Sequence, residues 1–179
     1  MQATSTDRAR ALLRRLGADR TPHPGGTLLA HLERVRIQLA LWEARPDLRI
    51  AGLCHAFYGT DGFPTGLLPL DRRAELASVI GPDAEAIVHF YASCDRGATY
   101  PRLLEPRFRD RFTGRTYAPD PLLCRDFAEL TAANELDLAR RDPLFRERRG
   151  PELLALLTRF RPLLSPFAWR DTLAVLHTP

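Results

Sequence analysis

Apolar residues recur at helical spacing between positions 28 and 42, and this stretch most constrains what the chain can fold into. The intervals are four, three, four and three residues in the series Leu28, Leu32, Val35, Leu39 and Trp42. This spacing places all five side chains on one face of an α-helix, and that face must be buried against other elements. Thr27 precedes the series and is a suitable N-cap. We therefore expect a buried helix here.

Similar periodicity along most of the chain predicts an all-α fold. Further helices are predicted over Thr6–Gly17, from Pro46 to the break at Gly59, over Asp71–Ile80, from Pro82 to about Tyr91, over Asp120–Arg141, near Pro151–Leu164 and near Pro166–Leu176. Helical periodicity is lost from Arg96 to Pro119, where one short β-hairpin is expected near 107–117. Without repeats or linkers, residues 1–179 are predicted to form a single domain.

Composition is that of a globular protein with a mixed-sign surface. The chain has 179 residues, of which 45% are hydrophobic and 27% charged, enough for one core. All 26 basic residues are arginines, and 22 acidic residues are interspersed among them, leaving a net charge of +4. This balance allows an anionic small-molecule ligand, whereas nucleic acid is not an expected partner.

The cysteines and the distribution of apolar residues indicate the cellular compartment to expect. Cys54, Cys94 and Cys124 are odd in number and lie in apolar surroundings, so they are predicted to be buried free thiols and not a disulfide framework. There is no leader-like N-terminal segment and no run of ~18 apolar residues. We expect a soluble, cytoplasmic protein with no membrane partner, and the oligomeric state is left open.

Three of the five histidines lie in two short phrases beside predicted helices. His23 and His31 enclose the first phrase, and His55 lies in the second, Gly52–Thr60. His31 is expected at the edge of the buried stripe of its helix, and His55 flanks the apolar face of the next one. Imidazole titrates near neutrality and is the commonest metal ligand. These phrases therefore indicate where a functional site lies.

The helix predicted over Asp120–Arg141 carries polar residues on its inward face. Its inward positions are Leu123, Phe127, Leu130, Asn134 and Asp137. A buried Asn or Asp costs free energy unless it has a partner, which here would be a metal, an imidazole or a ligand. The alternative is that Asp137 lies at the surface and that Ala133 and Leu138 carry the buried face.

The combination of these elements resembles the HD-domain superfamily of helical, metal-dependent phosphohydrolases. Ala51–His55 resembles the segment before that family's His-Asp pair, and Leu130–Asn134 resembles the segment before its late Asp. The resemblance implies an HD-like helical bundle with its pocket between the helices of His31, His55 and Asn134. However, Ala56 and Asn134 stand where the family has carboxylates. The ligands implied are then His31 and His55, completed by His23, Asp61 or Asp137.

A second resemblance covers most of residues 21–137. The phrases His23–Leu32, Ala51–Thr60 and Ile80–Glu85 resemble a family of uncharacterised bacterial and plant proteins related to HD domains. That family also lacks the Asp after the second histidine. This resemblance implies the fold and the position of the pocket, and it implies no activity.

Three functions stay open on these residues. The first is a small-molecule enzyme of hydrolase or oxygenase type that uses iron, manganese or zinc. The second is a metal-free acid–base enzyme, such as a cyclase, isomerase or lyase, in which His23, His31 and His55 move protons together with Tyr58 or Asp137. The third is a non-catalytic binding protein on a degenerate HD scaffold. The candidate substrate-binding residues are Thr60, Asn134 and Arg109.

Overall fold

The computed structural model describes residues 3–105 and 107–177. Its helices are α1 (Ser5–Arg15), α2 (Leu28–Leu41), α3 (Pro46–Cys54), α4 (Arg73–Ile80), α5 (Pro82–Ser93), α6 (Arg96–Thr99), α7 (Pro121–Arg141), α8 (Pro143–Arg159) and α9 (Pro166–Leu176). Two antiparallel strand pairs accompany them, β1 (Pro22–His23) with β2 (Gly26–Thr27) and β3 (Phe108–Arg109) with β4 (Thr116–Tyr117). The all-α prediction is confirmed, as is the hairpin near 107–117.

Helix α2 is central to the core, as its periodicity predicts. None of its five stripe residues is more than 4% exposed. The Thr27 hydroxyl accepts a hydrogen bond from the Ala30 amide at 3.2 Å, which confirms the N-cap. Helix α2 packs against both α3 and α7, and one hydrophobic cluster extends from α1 to α9. The same helix that fills the core therefore also determines where His31 lies.

Three predicted helix boundaries are wrong. Helix α3 ends at Cys54 and not at Gly59, and capping explains the other two, at the starts of α1 and α8. Helix α1 begins at Ser5 and not at Thr6, because Thr4 caps it and forms a capping box with Asp7. Helix α8 begins at Pro143 and not at Pro151, because Asp142 accepts a hydrogen bond from the Phe145 amide at 3.0 Å. Pro151 lies inside this helix after Gly150, which has no Cβ to collide with the proline ring.

The segment between α1 and α2 was predicted as a connector, and the structure shows a small hairpin within it. Pro22 pairs with Thr27 and His23 with Gly26. The strands are only two residues long, so their sequence carries no alternation of polar and apolar residues. This hairpin fixes the position of His23 beside the start of α2.

The structure tests the predictions for the cysteines and for a membrane-spanning helix. Cys54, Cys94 and Cys124 are buried free cysteines, as predicted. Among the residues that the structure describes, none of the helices combines the length and apolarity that a membrane crossing needs.

Gly59 is required by the loop that follows α3. Its φ is +68°, and a Cβ added there would lie 2.5 Å from the Pro64 carbonyl oxygen. Gly114 has a similar φ of +71° but no atom within 4 Å of an added Cβ. The two glycines therefore share their backbone conformation and differ in crowding.

We expect Gly59→Ala to cost much more stability than Gly114→Ala. Gly114→Ala incurs only the left-handed conformation, about 1 kcal/mol. Gly59→Ala adds a collision with backbone, for a total of about 3 kcal/mol. The free energy of unfolding measured by chemical denaturation checks this. Equal costs for the two variants would contradict the crowding at Gly59.

Candidate functional site

A cavity of about 990 Å³ lies between the histidine phrases, α6, α7 and α8. His23, His31 and His55 line one side, together with Thr60 and Asn134. The opposite side comes mainly from α8, where leucines alternate with arginines. Its further charged lining residues are Arg96, Glu135, Asp142, Arg148, Arg149, Glu152 and Arg159. The structure therefore brings the three predicted histidines to one cavity.

His31 is held from α7 at both ring nitrogens. Its Nδ1 donates to Asp137 Oδ2 at 2.7 Å, and its Nε2 lies 3.0 Å from Asn134 Oδ1. Asp137 also accepts from Arg34, at 2.7 Å from Nε and 2.9 Å from Nη2. We call the set of Arg34, His31 and Asp137 the α2–α7 polar contact. His31 is 1% exposed, so this contact fixes the ring rigidly.

Asp137 is buried and ionised. It is 5% exposed, so the alternative that placed it at the surface is wrong. Burial disfavours its charged form, but the hydrogen bonds from His31 and Arg34 outweigh burial and lower its pKa to about 2. Asp137 does not line the cavity itself and lies behind His31. A carboxylate in this position keeps the proton on His31 Nδ1, so Nε2 is the nitrogen that meets Asn134 at the cavity wall.

Asn134 contacts the remaining nitrogen of His31 and can serve either of its protonation states. With its amide oxygen toward the ring, Asn134 accepts from a protonated Nε2. With the amide turned over, its NH₂ group donates to an unprotonated Nε2. The amide nitrogen otherwise donates to Glu135 Oε1 at 3.3 Å. Asn134 is thus an adjustable partner of His31 at the cavity wall.

His55 is a neutral imidazole. Its Nδ1 donates to the Gly52 carbonyl at 2.8 Å, which leaves Nε2 as an acceptor. Burial, reinforced by the nearby His31, lowers its pKa to about 3. The His55 ring lies edge-on to His31, with 5.4 Å between the ring centroids. His55 therefore stays uncharged at neutral pH.

His23 is stacked on His31. The two ring centroids are 4.1 Å apart and the rings are inclined by 23°. Burial, with a contribution from His31, lowers the pKa of His23 to about 4. Its Nδ1 is buried and has no hydrogen-bond partner within the described part of the chain. His23 thus brings a neutral ring with an unsatisfied nitrogen to the site.

Tyr58 lies outside the cavity, in a cluster with Glu85 and Arg73. Its hydroxyl donates to Glu85 at 2.8 Å, and Arg73 donates two further bonds to the same carboxylate at 2.7 and 2.8 Å. The i,i+4 spacing of Glu85 and His89 would allow a surface pair, but Glu85 is buried and bonded to Tyr58 and Arg73. Tyr58 does not line the cavity and belongs to this buried cluster.

Thr60 and Arg109, two predicted substrate-binding residues, have different positions. Thr60 lines the cavity, and its hydroxyl accepts from the Phe63 amide at 3.1 Å, so it also shapes the loop. Arg109 lies outside the cavity, in a separate groove with Arg102 and Arg107. The reason is that Arg109 lies on β3, beyond α6, whose other side lines the cavity.

The side chains present do not fit the divalent metal centre that the HD resemblance implies. Within residues 3–105 and 107–177, no three His, Cys, Asp or Glu side chains form a group that could hold a metal ion. His31 and Asp137 are brought together, but as hydrogen-bond partners of each other. Asp61 accepts from the Arg96 amide at 2.9 Å. Ala56 and Asn134 supply no carboxylate.

Several residues at or behind the cavity wall were missed from the sequence. Arg34 follows His31 by one helical turn on α2, and this i,i+3 spacing could have revealed it. The arginines of α8 were missed together with the true start of that helix. Arg96 lies close to Gly62 of the loop after α3, where an added Cβ would be 2.8 Å from its Nη1, and both residues line the cavity.

The fold and site describe an all-α protein with a histidine-lined cavity. Residues 12–96 match the model of a family described as a domain of unknown function (DUF6817), so the chain is similar to that family over this segment. The match includes all three cavity histidines and does not extend to α7 or α8. No curated protein and no solved structure matches the chain.

The neutral state of His55 predicts how stability depends on pH. Its pKa of about 3 in the folded protein lies below the unfolded value of about 6.5. Between these values the unfolded chain binds more protons, so the contribution of His55 to stability falls by about 1.4 kcal/mol per pH unit as pH decreases.

His55→Gln is therefore expected to flatten the decline of unfolding free energy between pH 6 and pH 4, by about 1.4 kcal/mol per pH unit. Denaturation curves at several pH values measure this slope. The slope, and not the absolute stability, is compared, because a buried substitution shifts the latter. His177→Gln, at an exposed position, is the control. An unchanged slope in His55→Gln would contradict a neutral buried His55.

Proposed function

We propose that this protein is a metal-free acid–base enzyme, of cyclase, isomerase or lyase type, that acts on a small anionic molecule in the histidine-lined cavity of an HD-like scaffold. The α2–α7 polar contact is the observation that carries the proposal. A carboxylate behind an imidazole fixes the ring and stabilises its protonated form, an arrangement suited to proton transfer.

In this proposal His31 moves the proton and Asp137 is its positioning residue. Asn134 accommodates both protonation states of His31, so the ring can cycle without leaving a buried nitrogen unpaired. His23 and His55 have lowered pKa values and stay neutral at pH 7. They supply neutral donors and acceptors that orient the substrate, without adding charge beside His31.

The charge of the α8 side supports an anionic substrate. Arg148 and Arg159 line the cavity and form no ion pair within residues 3–105 and 107–177. Arg149 is 3.2 Å from Glu152, in an exposed pair that contributes little. The leucines of α8 add apolar surface beside these arginines. An organic acid or ester with an apolar body would match both features.

The other two functions have less support. A metal-dependent enzyme would need ligand nitrogens and carboxylates that here bind one another. A non-catalytic protein whose histidines only bond within the core would have every imidazole nitrogen bonded, whereas His23 Nδ1 has no partner among the described residues.

The proposal is tested by proton exchange in heavy water. The protein is incubated in D₂O with small carboxylic acids and phosphate esters, and NMR follows deuterium incorporation or product formation. We expect turnover of at least one compound, and a loss of about 10² to 10⁴-fold in His31→Asn. His177→Asn is the matched control. Turnover that His31→Asn leaves intact would overturn the role of His31, and turnover only after adding iron, manganese or zinc would favour the metal-dependent alternative.

Asp137→Asn tests the positioning role separately. The substitution keeps the shape of the side chain and removes its charge, so His31 loses the partner that stabilises its protonated form. We expect kcat to fall about 10²-fold with a smaller change in KM, because Asp137 does not reach the cavity. The pH profile of kcat/KM should shift as well. If kcat falls only in proportion to the fraction of unfolded protein, and the pH profile of kcat/KM is unchanged, the role of Asp137 is structural only.

A further inference from the structure

A second groove lies on the other side of α6. It has a volume of about 630 Å³ and contains three arginines, Arg102, Arg107 and Arg109, with Thr116 of β4 beside them. No carboxylate and no aromatic residue lines it within the described part of the chain. Gly97 and Pro101 line both this groove and the cavity, so α6 and the turn after it form their common wall.

The backbone beneath the three arginines is held in place. The Arg109 amide donates to the Thr99 hydroxyl at 3.0 Å, and the Arg109 carbonyl accepts from the Asp95 amide at 2.9 Å. The Arg107 amide donates to the Arg102 carbonyl at 3.2 Å. Three like charges are therefore kept at one groove by bonds that do not involve their guanidinium groups.

The charge at the groove is poorly compensated. Arg109 Nε lies 3.4 Å from Asp95 Oδ2, which is a long contact between partly exposed groups. Arg102 and Arg107 form no ion pair in residues 3–105 and 107–177. Like charges with so little acidic compensation repel one another, and an anion that bridges them removes that cost.

We propose that this groove binds the phosphate group of a small phosphorylated molecule. Guanidinium groups donate paired hydrogen bonds that match phosphate oxygens, and three of them suit a dianion better than a monoanionic carboxylate. Single-stranded nucleic acid would need aromatic side chains for base stacking, and the described residues place none in the groove. The groove is distinct from the cavity, and its ligand binds whether or not the cavity is catalytic.

The test is binding of inorganic phosphate and phenyl phosphate at low ionic strength, measured by calorimetry and ³¹P NMR. Wild-type protein is expected to bind both, and Arg102→Gln/Arg107→Gln to bind them at least tenfold more weakly, because two charge-assisted contacts are lost. Both arginines are exposed, so the double variant should fold normally, which denaturation verifies. If phenyl phosphate binds more tightly than inorganic phosphate, an ester is the ligand; the reverse order identifies free phosphate.

Arg125→Gln/Arg146→Gln is the control, since it removes the same charge from exposed positions on α7 and α8. It should leave phosphate binding within twofold of wild type. If both double variants weaken phosphate binding equally, the loss reflects the overall charge of the protein, and the proposed site is overturned. The proposal is also overturned if the wild-type protein does not bind phosphate. Binding of a short single-stranded DNA without binding of phosphate would point to nucleic acid as the ligand instead.

Discussion

The α2–α7 polar contact is the interaction on which the site depends. Asp137 carries a buried charge, and such a charge is tolerated only when it is paired and its remaining acceptors are filled. Arg34 and His31 do this from two positions one turn apart on α2. Removing Arg34 or His31 would leave the buried Asp137 carboxylate without one of its hydrogen-bond donors. The register between α2 and α7 is thereby fixed, and with it the orientation of the His31 ring.

The rest of the cavity wall follows from that register. Asn134 precedes Asp137 by one turn, so it meets His31 at the other ring nitrogen. The Arg34 guanidinium also approaches the Pro24 and Gly25 carbonyls at 3.4 and 3.5 Å, at the turn of the β1–β2 hairpin. Arg34 thus connects Asp137 to the hairpin that carries His23, the ring stacked on His31. Beyond Leu130, α7 presents Asn134 and Asp137 toward His31, while Leu136 stays in the hydrophobic core, so one helix serves both the core and the site.

Periodicity predicted the parts of the fold where burial is continuous. The stripe of α2 and the inward positions of α7 could be predicted because each residue is required to face the core. The partners of Tyr58 and the position of Arg109 could not. Tyr58 meets Glu85 and Arg73 across three elements, and no local pattern records such a contact. Arg109 lies on a two-residue strand, too short for its pattern to show which face the side chain takes. His23 was predicted as a site residue, but the hairpin that positions it was not.

The positions of Ala56 and Asn134, where the HD resemblance implies carboxylates, affect which charge a ligand of the cavity could carry. At the two positions where the HD resemblance implies carboxylates, the chain has Ala56 and Asn134. The buried carboxylate beside His31 is Asp137, whose oxygens are taken by His31 and Arg34. A divalent cation at the histidines would therefore find no carboxylate free to neutralise it. The proposed anionic ligand would instead meet neutral His23 and His55 on one side and, on the other, Arg148 and Arg159 of α8, which form no ion pair within residues 3–105 and 107–177.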